Sequence, residues 1–143
     1  MTGAYSLLYA FENSVREFID SHLETHFGSE WVKDPQIVAK GIRDRIDGNR
    51  KAEDRNRYHS SRKAGSVYYT TLGDLVRIVH SQKAWPVFAP LFPSDKWLHG
   101  LVEPIEISRN VVAHMNLLTK RDLARLKLNF EDWLAQVSTS ITN

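Results

Sequence analysis

The chain has 143 residues, 42% of them hydrophobic and 25% charged, with no cysteine. A single domain of this length buries about two-thirds of its unfolded surface without a disulfide or metal staple. The missing cysteines exclude CxxC redox motifs, cysteine zinc sites and thiol nucleophiles. No apolar run reaches the roughly 18 residues of a membrane span and no signal-peptide pattern is present, so the expectation is a soluble cytoplasmic protein, nuclear if eukaryotic, with no membrane partner. The net charge is only +2, yet residues 40–63 hold nine Lys/Arg against four Asp/Glu. Such a basic concentration fits a phosphate-bearing partner and fits a solvated loop equally well.

Tyr5, Leu8, Phe11, Val15, Phe18, Ile19, Leu23 and Phe27 recur at three- and four-residue steps and predict a long amphipathic first helix that stops at Gly28. Pro35 suits the first turn of a second helix carrying Ile37, Val38, Ile42 and Ile46 on one face and ending near Gly48. Residues 49–66 have almost no apolar content and read as a basic polar loop. The extended-looking 67–70 segment has no partner strand and is expected to be a connector. Thr71 and Asp74 have the spacing of a capping box ahead of a third helix with Leu72, Leu75, Val76 and Val79.

Residues 85–97 mix Trp85, Phe88, Phe92 and Trp97 with three prolines, too broken for a regular helix and too apolar for a solvated loop. They are expected to pack as a lid over the core or at an interface. A further helix runs from about Asp95 through Leu98, Leu101, Val102, Ile105 and Val112, with a kink or fresh start expected at Pro104. The last helix is capped by Thr119 and Asp122 and presents Leu123, Leu126, Phe130, Trp133, Leu134 and Val137 as one stripe. The pattern predicts an all-α antiparallel bundle of about five helices in one domain spanning 1–143.

Chemistry concentrates in ISRNVVAHMN, which holds Arg109, Asn110 and His114. On a helix Asn110 and His114 lie about 40° apart, whereas Arg109 and His114 lie about 140° apart. The latter pair therefore converges only at a fraying helix end or with help from a second copy. A histidine that titrates near neutral pH can move protons at a ribose 2′-OH or a leaving 5′-oxygen. The arginine fork can hold the phosphate, and the amide can orient the imidazole. This trio needs no cofactor or metal. Alone, an R-N-x-x-x-H string fits a capping or core role at least as readily as catalysis. His22 and His26 share a helix face at i, i+4 but lack an evident third ligand.

The string, the opening helix YAFENSVREFIDSHLETHFGSEW and the segments YYTTLGDLVRIV and RNVVAHMNLLTKRDL resemble the HEPN superfamily. The branch is the one found in a nuclear RNA-surveillance endoribonuclease and many bacterial homologues. The resemblance implies a dimeric HEPN-like bundle and metal-independent cleavage of RNA to a 2′,3′-cyclic phosphate, with Arg109, Asn110 and His114 at the catalytic positions. It implies RNA and a second copy of the chain as partners, a possible fused domain or antitoxin partner, and roles in toxicity or phage defence. The same superfamily contains inactive dimerisation and RNA-binding modules, which stand as the alternative. Family toxins paired with a nucleotidyltransferase antitoxin commonly carry Tyr two residues after the histidine, where this chain has Asn116. In the ribonuclease reading Arg50, Lys51, Arg55 and Arg57 supply phosphate contacts, which position RNA without reading its sequence.

Overall fold

The computed structural model describes the backbone of residues 2–58 and 65–142 and the side chains of 3–58 and 65–138. These residues form six α-helices and two 3₁₀ turns, with no strand among them. In chain order they are α1 (Thr2–Phe27), a 3₁₀ turn (Trp31–Lys33), α2 (Lys40–Arg55), a second 3₁₀ turn (Ser66–Tyr69), α3 (Leu72–Val79), α4 (Trp85–Phe88), α5 (Trp97–Ala113) and α6 (Lys120–Thr142). No described helix is long and apolar enough to cross a membrane. The sixth helix beyond the expected five is α4, a single turn with Pro86 early in it, set in the Pro-rich aromatic segment.

α1 is the central strut. Leu8, Phe11, Val15, Ile19 and Leu23 are buried along one stripe, as their spacing predicts. Gly28, at φ 87°, ends the helix in a backbone conformation that suits glycine. Phe11 stacks on Phe130 of α6 at 4.9 Å, and Trp133 packs edge-on to Phe18 while its indole donates to Ser14 Oγ at 3.0 Å. Residues 85–97 do cover the core: Phe88 and Phe92 are buried, and Phe92 meets Trp97 and Trp133. Tyr5 departs from its stripe and stands exposed.

Two boundaries differ from expectation. Ile37 and Val38 are buried, but in the turn that precedes α2, which starts at Lys40. At its other end α2 runs through residues 49–55, which lack the apolar stripe that would have marked them as helical. Long-range contacts hold them: Tyr69 donates to Glu53 at 2.6 Å, and Arg50 donates to Ser66 Oγ at 2.8 Å while lying over the Tyr69 ring. The rest of the expected loop falls at 56–58 and 65, Ser66 opens the second 3₁₀ turn, and 59–64 lie outside the described residues. α5 continues through Pro104, so no fresh start occurs there.

Both capping boxes form. Thr71 and Asp74 exchange bonds at 2.9 and 3.0 Å, and buried Asp74 also pairs with Arg45 of α2. Glu106 of α5 accepts from the Gly73 N–H at 2.7 Å, which ties α3 to α5. At α6, Asp122 accepts from the Thr119 N–H, and the Asp122 N–H donates to Thr119 Oγ1, both at 3.1 Å.

Thr119→Ala is expected to lower stability by about 1 kcal/mol in urea titrations. Bonds from the Thr119 backbone hold the Asp122 carboxyl below its ordinary range. A depressed carboxyl stabilises the fold above its unfolded pKa and loses that contribution as pH falls through the folded value. The penalty of Asp122→Ala is therefore expected at neutral pH and should disappear in acid.

Candidate functional site

Arg109 lies in the penultimate turn of α5 and points toward α1. Its Nη1 stands 3.4 Å from Glu12 Oε2, and it joins Val112 and Ala113, three and four residues on, in the wall of a cleft of about 150 Å³. Tyr5, Leu8, Tyr9 and Glu12 of α1 line the same cleft. Half of the arginine side chain remains exposed, at 54%.

Glu12 is only 7% exposed. Its Oε2 also accepts from Arg16 Nη1 at 3.5 Å, one helical turn further along. Arg16 is itself buried and donates through Nε and Nη2 to the Thr70 carbonyl at 3.2 and 3.1 Å. Two guanidinium groups thus flank one carboxylate: Arg16 ties it inward to the 3₁₀ turn before α3, and Arg109 carries it out to the surface. Glu12 Oε1 is buried and has no hydrogen-bond partner among the described residues.

His114 is the C-cap of α5, with its backbone N–H bonded to the Asn110 carbonyl at 3.1 Å. The side chains of Asn110 and His114 are exposed, at about 100° and 140° round the helix from Arg109. Among the described residues no hydrogen bond or ion pair joins Arg109 to His114, in keeping with their 140° separation on the helix. One molecule therefore brings Arg109 to the α1 cleft and leaves Asn110 and His114 facing solvent beside it.

The chain leaves His114 through a strained turn. Met115 has φ 61° and is 91% exposed. Its N–H bonds the Val112 carbonyl at 2.9 Å, and the Asn116 N–H bonds the Val111 carbonyl at 3.1 Å. This is a Schellman closure with methionine at the position where glycine is favoured.

A second, larger cleft of about 690 Å³ continues from Arg109 along α1 to α2 and the Ser66–Tyr69 turn. Arg16, Arg45, Asn49, Tyr68 and Tyr69 line it. Tyr68 donates to Glu17 at 2.9 Å, and burial together with that bond holds its phenol above the ordinary range. Of the four basic residues singled out in the sequence, Arg50 is engaged in the Ser66–Tyr69 contact. Lys51 and Arg55 share an exposed face of α2, and Arg57 is exposed just after it. None of these four lines either cleft, whereas Arg45 from the same helix does.

Glu12, Arg16, Tyr5 and Tyr9 are the site residues that sequence reasoning missed. The available signal was Glu12-x-x-x-Arg16, an oppositely charged i, i+4 pair flanking the apolar stripe of α1. Among the described residues no group of three or more His, Asp or Glu could hold a metal ion.

The Swt1-like HEPN family matches residues 6–138 of the chain. No curated protein and no solved structure matches it.

The two arginines on Glu12 should separate in denaturation experiments. Arg16→Met removes both bonds to Thr70 and a buried partner of Glu12, and is expected to cost about 3 kcal/mol. Arg109→Met, at a half-exposed pair, is expected to cost less than about 1 kcal/mol. Met115→Gly relieves the left-handed backbone and should raise stability by about 1 kcal/mol, measured by the same titration.

Proposed function

The chain belongs to the Swt1-like HEPN family, and on that footing we propose that it is a metal-independent endoribonuclease acting through Arg109, Asn110 and His114 at a cleft shared by two copies. HEPN domains include ribonucleases and RNA-binding modules. The observation that supports catalysis is that Arg109 and His114 are both open to solvent at the end of α5, with the arginine fork oriented by a buried carboxylate.

His114 acts as general base on a ribose 2′-OH, and the freed oxygen attacks the adjacent phosphorus. The bond from phosphorus to the 5′-oxygen breaks, and the imidazole of the second copy returns a proton to that oxygen. The products are a 2′,3′-cyclic phosphate and a 5′-hydroxyl. Arg109, with one edge on Glu12, turns its remaining donors to the non-bridging oxygens, where negative charge builds in the transition state. Asn110, on the same helix face as His114, orients the imidazole. Two-fold symmetry supplies the second arginine and histidine that one protomer does not bring together. Lys51, Arg55 and Arg57 contribute phosphate contacts at a distance, and Arg50 first serves the fold. Roles in toxicity or phage defence, and a fused domain or antitoxin partner, follow from the same family reading.

One observation favours a second reading, a non-catalytic RNA-binding or dimerisation module: Arg109 is held toward α1, on a different face of α5 from His114.

Purified protein in excess chelator is expected to cleave RNA and leave 2′,3′-cyclic phosphate ends, identified by end-group analysis. His114→Ala should reduce the rate about 100-fold or more while melting temperature and sedimentation stay unchanged. Absence of cleavage of every RNA class, with a His114→Ala variant that loses stability or dimerisation instead, would select the module.

A further inference from the structure

We propose that the cleft between the start of α1 and the end of α5 is a subsite for one unpaired RNA nucleotide, whose base stacks on Tyr5 and Tyr9 and turns an N–H donor toward Glu12 Oε1. The inference rests on the ribonuclease reading of Arg109 and His114 and specifies the substrate as single-stranded at the site.

Three observations converge on the cleft. Glu12 Oε1 is a buried carboxylate oxygen with no donor among the described residues, in a side chain that lines both clefts. Leaving such an acceptor unmatched is unfavourable, so a small rotation of the Glu12 carboxylate that brings Oε1 to the cleft wall is rewarded when a ligand there offers an N–H or O–H. Oε2 is already shared by Arg16 and Arg109, so the carboxylate takes a single further donor and not a cation.

The second observation is the pair of tyrosines. Tyr5 and Tyr9 stand one turn apart on α1, are 65% and 63% exposed, and line both clefts. Among the described residues neither makes a hydrogen bond or a ring contact. Tyr68 and Tyr69 in the same region differ, since their hydroxyls are committed to Glu17 and Glu53. Two open aromatic faces beside an arginine are what a splayed nucleobase uses for stacking.

The third is position. Arg109 is common to both clefts, so a base seated on the tyrosines carries its own phosphate to the residue that holds the scissile one. A paired base has its edge occupied by its complement and its faces by its neighbours, and cannot make these contacts. The larger cleft leads from there past Arg45 and Asn49, giving the strand a polar path along α2. Its wall of arginines, glutamates and tyrosine hydroxyls suits a wet, charged ligand better than the apolar seam of a second copy.

The test measures binding independently of cleavage. His114→Ala protein is titrated into a fluorescein-labelled single-stranded RNA of about 12 nucleotides, and into the same strand annealed to its complement. Single strand is expected to bind more tightly than duplex. Tyr5→Ala and Tyr9→Ala, checked for folding by circular dichroism, should each weaken single-strand binding about five- to 100-fold. Tyr5→Phe and Tyr9→Phe should restore it. Unchanged affinity in the double alanine variant, or equal binding of duplex, overturns the subsite even if the wild-type chain cleaves RNA. Conversion of a dimer to a monomer by the alanine variants would assign the face to a second copy and overturn it too. Tyrosine-dependent binding of single strands by a wild-type chain that cleaves nothing upholds the subsite and rejects the ribonuclease reading. No RNA binding by any form rejects both.

Discussion

A carboxylate taken out of water has to be met by positive charge and hydrogen-bond donors, and Glu12 imposes that requirement on several elements at once. Arg16 answers it from the same helix and, through its other two donors, grips the Thr70 carbonyl at the entrance to α3. Arg109 answers it from α5. The angle at which α1, α3 and α5 meet is therefore specified by charge as well as by apolar packing. Arg109, the residue proposed to hold the scissile phosphate, is one of the two counter-ions. Fixing an arginine by one edge against a buried anion removes part of its rotamer freedom before any phosphate arrives, so less is lost when one binds.

Much of this fold is local in origin and could be read locally. The stripes of α1 and α6 follow from periodicity, and both capping boxes follow from a threonine and an aspartate three residues apart. Where the reading went astray, distant groups decide the outcome. The second half of α2 carries no apolar stripe, and its helix is supported by Tyr69 and Ser66, which arrive from the far side of a connection. Ile37 and Val38 have helical spacing, but the Asp34 turn uses them to plug the core before the helix begins. Tyr5 has the right spacing for burial, yet the neighbouring α5 stops at Ala113 and leaves a cleft there. Pro104 lacks the N–H its turn would use, but α5 is held on both sides of it by Leu101, Val102 and Ile105 in the core.

The candidate site divides in the same way. Arg109, Asn110 and His114 are legible as a string, and even their divergence follows from helix geometry. What surrounds Arg109 was not legible, because Glu12 and the tyrosines lie about a hundred residues upstream and only folding brings them near. The apolar code of α1 reports which face is covered. It does not report that one charged pair on the margin of that face, Glu12 and Arg16, is covered as well.

The seam between α1 and α6 has a consequence for how the molecule is made. Phe11 and Phe18 face Phe130 and Trp133, and the Trp133 indole reaches Ser14 across 119 residues of sequence. As the chain leaves the ribosome, the first helix emerges with its aromatic face bare and waits for the final helix to cover it. Closing so long a loop is slow relative to forming local contacts. The segment that will orient Arg109 is therefore made ahead of the other elements, while the bundle around it is sealed by α6, the last of these elements to be synthesised.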